Sequence, residues 1–284
     1  LIDIITNQFV LDNGKVVDDP IGTLSSSFTL EAQIMLADKD YVKQISAIFK
    51  KADIEIDGIV PNTLAEREVV LDKNELTDNI MLLDIGAGNT DIGIFEAGKF
   101  VYTNTIPLGG DNITNDIAMV LNISEEEADK LKKQYGLALK SCIDNDNEIL
   151  LNTHKSEPKN YKIRSSELIE IIEARVEEIF TLVNKDIMAQ GLKQKINNVV
   201  LTGQGITNIN KSDVAGKIIL NTPVKIATGR LVSTINQSHR TAFSVVRYVA
   251  TKPFAKTVSS SIDVKKERHI IRNTLEKVKD FFYS

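Results

Sequence analysis

Tryptophan is absent from this chain, cysteine occurs once (Cys142) and histidine three times, at His154, His239 and His269. One cysteine excludes an internal disulfide framework and any cysteine-rich zinc site. The histidines are far apart and none forms a helical His-x-x-x-His pair, so a histidine metal centre is not expected. There is no excess of positive charge: 34 Lys and Arg stand against 39 Asp and Glu, a net charge of −5. A global positive field of the kind that draws nucleic acid is therefore missing. No apolar run is long enough to span a bilayer, and the opening LIDIITNQFVL lacks the basic flank of a signal peptide. What remains is close to an ordinary soluble protein, with 42% hydrophobic and 26% charged residues over 284 positions. At roughly 150 residues per domain the length suggests about two domains. The first residue is Leu1 and not Met, which predicts a processed or truncated chain.

Residues 1–75 have the pattern of a small α/β unit. LIDIITNQFVL and FTLEAQIMLAD (28–38) are strand-like, and VDDPIG (17–22) is a turn. Asp40 is placed to cap a helix over 41–52, with Val42, Ile45, Ile48 and Phe49 at helical spacing. IEIDGIV (54–60) has strand character and 63–71 helical character. From Asn79 onward the pattern changes. Strands are predicted over 80–84, 90–96 and 99–106, joined by tight glycine turns, followed by a helix over 111–121. Ser124 and Glu127 have the spacing of a capping box for a helix over 125–135. Residues 141–162 are polar, a hairpin or a mobile loop; 165–192 form a long amphipathic helix; 197–205 are a buried strand running into a turn. A further helix, a strand at 224–227 and a helix over 239–250 complete this part.

Three constellations carry candidate chemistry. In Asp84-Ile85-Gly86-Ala87-Gly88-Asn89-Thr90-Asp91 a glycine turn links two strands, not a strand and a helix, which argues against Rossmann and Walker loops. Such a turn can point backbone N–H groups at phosphate oxygens. Asp84 at the strand end can hold the water shell of a magnesium ion, with Thr90 and Asp91 around the phosphates. The alternative is a plain hairpin with solvated carboxylates. In Leu201-Thr202-Gly203-Gln204-Gly205 the glycines allow close backbone approach to a flat ligand such as a purine, or simply make a strand-to-helix turn. Asp129 and Lys132 share a helix face and can grip ribose and base, or form a surface ion pair.

In this order the pieces resemble the actin and heat-shock-chaperone ATPase superfamily, and within it the FtsA family of bacterial cell-division proteins. LLDIGAGNTDIGIFEAGKFVYTNTIPLGGDNITNDIA is similar to the family's second phosphate loop, hairpin and following helix; EEADKLKKQYGLA to its next helix; ELIEIIEARVEEIFTLVNKDI to its long helix; VVLTGQG to its adenosine turn. The resemblance implies an α/β, actin-like (ribonuclease H-like) ATPase fold, N-terminally truncated, with an FtsA-type inserted subdomain at 1–62. The nucleotide-binding half would be 63–250, with a smaller subdomain at about 110–195. It implies ATP and magnesium as cofactors, held by Asp84, Gly86, Gly88, Asn89, Thr90, Asp91, Gly109, Gly110, Asp129, Lys132, Gly203, Gln204 and Gly205, with magnesium reached through water from Asp84. A family phosphate loop would lie ahead of Leu1. Without it, weak ATP binding and weak or absent ATPase activity are expected, and no catalytic residue is assigned. Ala87, Asn89, Gln204, Ser244 and Val249 depart from the family's commoner residues, and the lost glycines would crowd a nucleotide.

TKPFAKTVSSSIDVKK (251–266) has linker composition. In 267–284, Ile270, Ile271, Leu275, Val278, Phe281 and Phe282 lie near one helical face, flanked by Arg268, Arg272, Lys277 and Lys279. That is the pattern of a helix lying in a membrane interface, or of one docked on protein. The resemblance favours the membrane. It implies an adaptor at the cytoplasmic face of the inner membrane, at the division site, that tethers FtsZ by its C-terminal tail, self-associates into filaments and meets other divisome proteins. The alternatives are an active ATP-dependent enzyme of the superfamily and a pilus-assembly adaptor.

Overall fold

A computed structural model describes residues 3–17, 19–56, 58–152, 160–228 and 239–251. The chain divides into two compact units. One is built on residues up to Pro61 together with the chain from Val246, and the other spans Asn62–Val245.

In the first unit β1 (Asp3–Leu11) pairs antiparallel with both β2 (Val16–Val17) and β3 (Phe28–Met35), giving the order β2-β1-β3. The long register runs from Asp3 opposite Met35 to Leu11 opposite Phe28, with one shift between Thr6 and Gln8. Phe9, Leu11 and Met35 are buried, and Phe9 meets Phe28 edge-on at 5.5 Å. Helix α1 (Lys39–Lys51) follows, and here the structure corrects the expected cap. Asp38, not Asp40, accepts the N–H groups of Asp40 and Tyr41 at 3.0 and 2.8 Å, because Asp38 is the non-helical residue immediately before the helix. The strand expected over 54–60 is not found among the described residues. Asp53 turns left-handed (φ 58°) and Ile54 donates its N–H back to Phe49, so this stretch terminates α1 rather than extending the sheet.

The second unit opens with α2 (Asn62–Val70), followed by β4 (Ile80–Ile85), β5 (Thr90–Glu96) and β6 (Lys99–Ile106). Next come α3 (Gly110–Leu121), α4 (Glu125–Tyr135), the hairpin β7 (Glu148–Asn152) and β8 (Asn160–Arg164), and the 25-residue α5 (Ser165–Ala189). Strand β9 (Asn198–Thr202), α6 (Ser212–Leu220) and β10 (Val224–Ile226) follow, and α7 (Arg240–Thr251) begins in this unit and runs past its boundary at Val245. The central sheet runs β10-β9-β4-β5-β6; β4, β9 and β10 are parallel, while β5 and β6 are antiparallel.

Every residue of β4 is buried, as both faces of a covered strand demand. Met81, Leu83 and Ile85 pack with Ile92, Ile94, Val199 and Leu201 against α3 and α5. From α5 the residues Leu168, Ile172, Val176, Ile179, Val183 and Ile187 all point into this core at intervals of three and four. Polar ties fix the helices: Arg175 on α5 clamps both carboxylate oxygens of Asp116 on α3, at 2.6 and 2.9 Å. Tyr102 on β6 donates to Asp186 of α5 at 3.0 Å, and burial with that carboxylate pushes the phenol up to about 12. On the opposite face α2 presses so close that a side chain at Gly93 would meet Thr63 at 2.5 Å.

Candidate functional site

Three turns converge at one end of the central strands of the sheet. The β4–β5 turn closes on itself when Gly86 N–H donates to the Asn89 carbonyl at 2.9 Å. The turn into α3 docks on it through Gly110 N–H to Gly86 O (2.9 Å) and Asp111 N–H to Ala87 O (2.8 Å). The turn after β9 joins through Gly205 N–H to Ile85 O at 2.9 Å. Backbone lies directly on backbone, which only glycine permits. Gly203 adopts a left-handed φ of 97°, and a methyl there would strike Ile85 O; one on Gly205 would strike Gly86 O. Gly109 and Gly110 are equally hemmed in by Ala87 and Gly205. Gly88 differs, with open space where its side chain would be.

Beside this cradle is a cavity of about 550 Å³ lined by Ala87, Gly110, Asp129, Lys132, Gln204 and Gly205 among others. Its volume is in the range of small-molecule sites, roughly 300–1,000 Å³. The structure thus brings together turns that are more than a hundred residues apart in sequence. Asp129 is held below the ordinary carboxylate range; partial burial works against this, but the Lys133 hydrogen bond and the Lys132 charge outweigh it.

Not every expected residue is free for a ligand. Thr90 is fully buried and donates to the Leu108 carbonyl at 2.7 Å, so its hydroxyl staples two turns together. Lys132 is also buried, donating to Gly110 O (2.9 Å) and Thr114 Oγ1 (2.6 Å) and facing Asp129 at 3.3 Å. It braces α4 against the start of α3 and is not the surface ion pair that the spacing alone allows. Asp91 accepts from Thr105 (2.7 Å) and Asn62 (3.2 Å). Asn89 contributes its carbonyl to the turn. Ile270, Ile271, Leu275, Val278, Phe281 and Phe282 lie outside the described residues.

A cluster unforeseen from the sequence sits behind the cradle. Asp84 is 9% exposed, and its Oδ1 accepts from an Arg240 guanidinium N–H at 3.3 Å. Arg240 Nε donates to Glu66 Oε1 at 3.4 Å, and Thr241 donates to the same oxygen at 3.3 Å. Glu66 has no exposed surface; burial first, then the Asp84 charge, push its carboxyl up to about 7, against the pull of Arg240. Burial likewise raises Asp84, and Arg240 opposes it. One signal pointed here: Glu66 shares a helical face with Val69 and Val70, an apolar stripe where a carboxylate needs a partner. The partner lies 174 residues away, beyond any local pattern.

The expected ligands fare differently. The cavity beside the glycine cradle has room for a nucleotide, with Gln204 and Asp129 in its lining, while the N–H groups of Gly86, Gly110, Asp111 and Gly205 are engaged in holding the turns together. A magnesium ion at Asp84 does not fit. That carboxylate is turned from water, one oxygen is held by a guanidinium, and a neighbouring positive charge opposes a second cation.

A five-stranded mixed sheet between helices, with glycine turns gathered at one strand end, is the arrangement of an actin-like fold. The same architecture is found in MreB 5 of Spiroplasma citri bound to AMPPNP, with a TM-score of 0.62 at 16% identity over 89% of this chain and 90% of that one. Residues 81–246 match the family model "Cell division protein FtsA". The chain belongs to the FtsA family. It is similar to cell division protein FtsA of Bacillus subtilis, 30% identical over 248 residues, covering 87% of this chain and 56% of the relative. It is also similar to FtsA of Escherichia coli K12, 24% identical over 278 residues, 95% of this chain and 63% of that one. The chain therefore spans a little over half the length of these relatives.

Proposed function

We propose that this chain is an actin-like cell-division adaptor that holds adenine nucleotide in its glycine cradle and tethers FtsZ to the cytoplasmic face of the inner membrane at the division site. Membership of the FtsA family is the observation that carries this reading. Nucleotide binding is supported by the three interlocked turns and the cavity beside them. Residues 1–62 would be the inserted subdomain, serving protomer contacts in filaments or meeting other divisome proteins. The smaller subdomain at about 110–195 would receive the FtsZ C-terminal tail. Membrane attachment would come from 267–284, through its apolar stripe and flanking cations. Among the described residues no helix is long and apolar enough to cross a membrane, so a surface attachment is the route proposed.

Vesicle co-sedimentation tests the adaptor role directly. Anionic vesicles mixed with the intact chain and FtsZ should pellet both proteins, and a chain ending at Lys266 should leave both in the supernatant. FtsZ remaining in solution while the intact chain pellets would overturn the tether. Equal pelleting of the two chains would overturn the anchor.

A further inference from the structure

The fold family leads one to expect a divalent ion at Asp84, and the structure puts a guanidinium there. We infer that Arg240 is the resident cation of this strand-end carboxylate, so that nucleotide held at the glycine turns needs no divalent metal. The inference rests on the nucleotide reading above and adds to it the ionic requirement of the site.

Geometry carries it. Asp84 is the penultimate residue of β4, one residue before the turn that docks α3 and the β9 turn. Its Oδ1 lies so near Gly203 that a side chain there would meet it at 2.5 Å, and the same oxygen accepts from Arg240. Arg240 cannot simply swing aside: its side chain is 8% exposed and its Nε is engaged by the fully buried Glu66. The planar fork lets one guanidinium serve two carboxylates, which a lysine ammonium at the end of a flexible stem would do less well. Arginine keeps its charge at any working pH, so the positive centre is permanent. A permanent charge beside Asp84 does electrostatically what a bound divalent ion would do, and it repels that ion. Releasing Arg240 to admit a metal would leave Glu66 without its counter-ion in the interior, a costly exchange.

Three measurements on the full chain test this. First, ADP is titrated calorimetrically into the wild-type chain in magnesium buffer and in EDTA. The affinities should agree within about threefold, and a loss of about tenfold or more in EDTA overturns the inference. Second, E66L/R240M removes the guanidinium together with its buried partner, a type of replacement that commonly preserves the fold. Its ADP binding should become magnesium-dependent, by about tenfold; a magnesium response equal to wild type overturns the inference. Third, Mn²⁺ is titrated into the wild-type chain and into Asp84→Asn, and the free-ion signal is followed by electron paramagnetic resonance. Uptake should be the same, and loss of one bound Mn²⁺ per chain in Asp84→Asn overturns the inference. This third measurement uses no nucleotide. Failure of both buffers to show ADP binding would therefore sink the nucleotide reading, while the manganese comparison still judges the role of Arg240.

Discussion

Glu66 has no exposed surface, yet its carboxyl lies among Arg240, Thr241 and Asp84. An acid whose folded value rises from 4.5 to about 7 binds its proton more tightly in the native chain than in the unfolded one. Its contribution to stability is complete below the unfolded value and is lost as pH climbs towards the folded one. Urea midpoints should therefore fall between pH 5 and about 7, and Glu66→Gln should flatten that part of the profile; an unchanged slope in the variant would assign the effect elsewhere. The glycines give a second contrast at the same scale. Gly205→Ala drives a methyl into Gly86 O and should cost about 3 kcal/mol in urea unfolding, whereas Gly88→Ala enters open space and should stay within about 0.5 kcal/mol. The sequence marks both as members of glycine turns. It does not show which of them touches another turn, because that contact is made by residues more than a hundred positions away.

Helix ends and strands were largely legible where one physical signal governed them. Ser124 accepts the Glu127 N–H at 3.2 Å, as the capping spacing predicts. Ser124→Ala should lower stability by about 1 kcal/mol, measured by thermal or urea unfolding, and a change near zero would mean that water replaces the cap. The continuous apolar run of β4 and the spacing along α5 likewise specify their elements. The stretch 54–60 was misleading because its apolar residues follow a helix exit, where the left-handed Asp53 and the Ile54–Phe49 hydrogen bond set the backbone direction. The cap expected at Asp40 falls two residues earlier, at Asp38, because the helix itself begins at Lys39. For 141–162 a hairpin and a mobile loop were both open, and the antiparallel pairing of β7 with β8, from Glu148 opposite Arg164, decides for a hairpin.

At the scale of the molecule, the division after Pro61 leaves Asn62–Val245 with a core of its own, built from a five-stranded sheet and the long α5. A fragment of residues 62–251 should fold alone, with mixed helix and strand in circular dichroism and a single cooperative unfolding transition; a non-cooperative melt would show that this core needs the rest of the chain. The fold class was legible because four motifs occur in a fixed order along the chain. The ion cluster was not, since each member by itself is an ordinary charged residue. That cluster has a mechanical consequence. Helix α7 runs unbroken from Arg240 to Thr251, about 18 Å at the usual rise. Tension applied to the chain beyond Thr251 is carried along this rod to its first residue, which grips Glu66 and Asp84. The ion pairs are thus a noncovalent fastening that such a pull would load, directly behind the glycine turns.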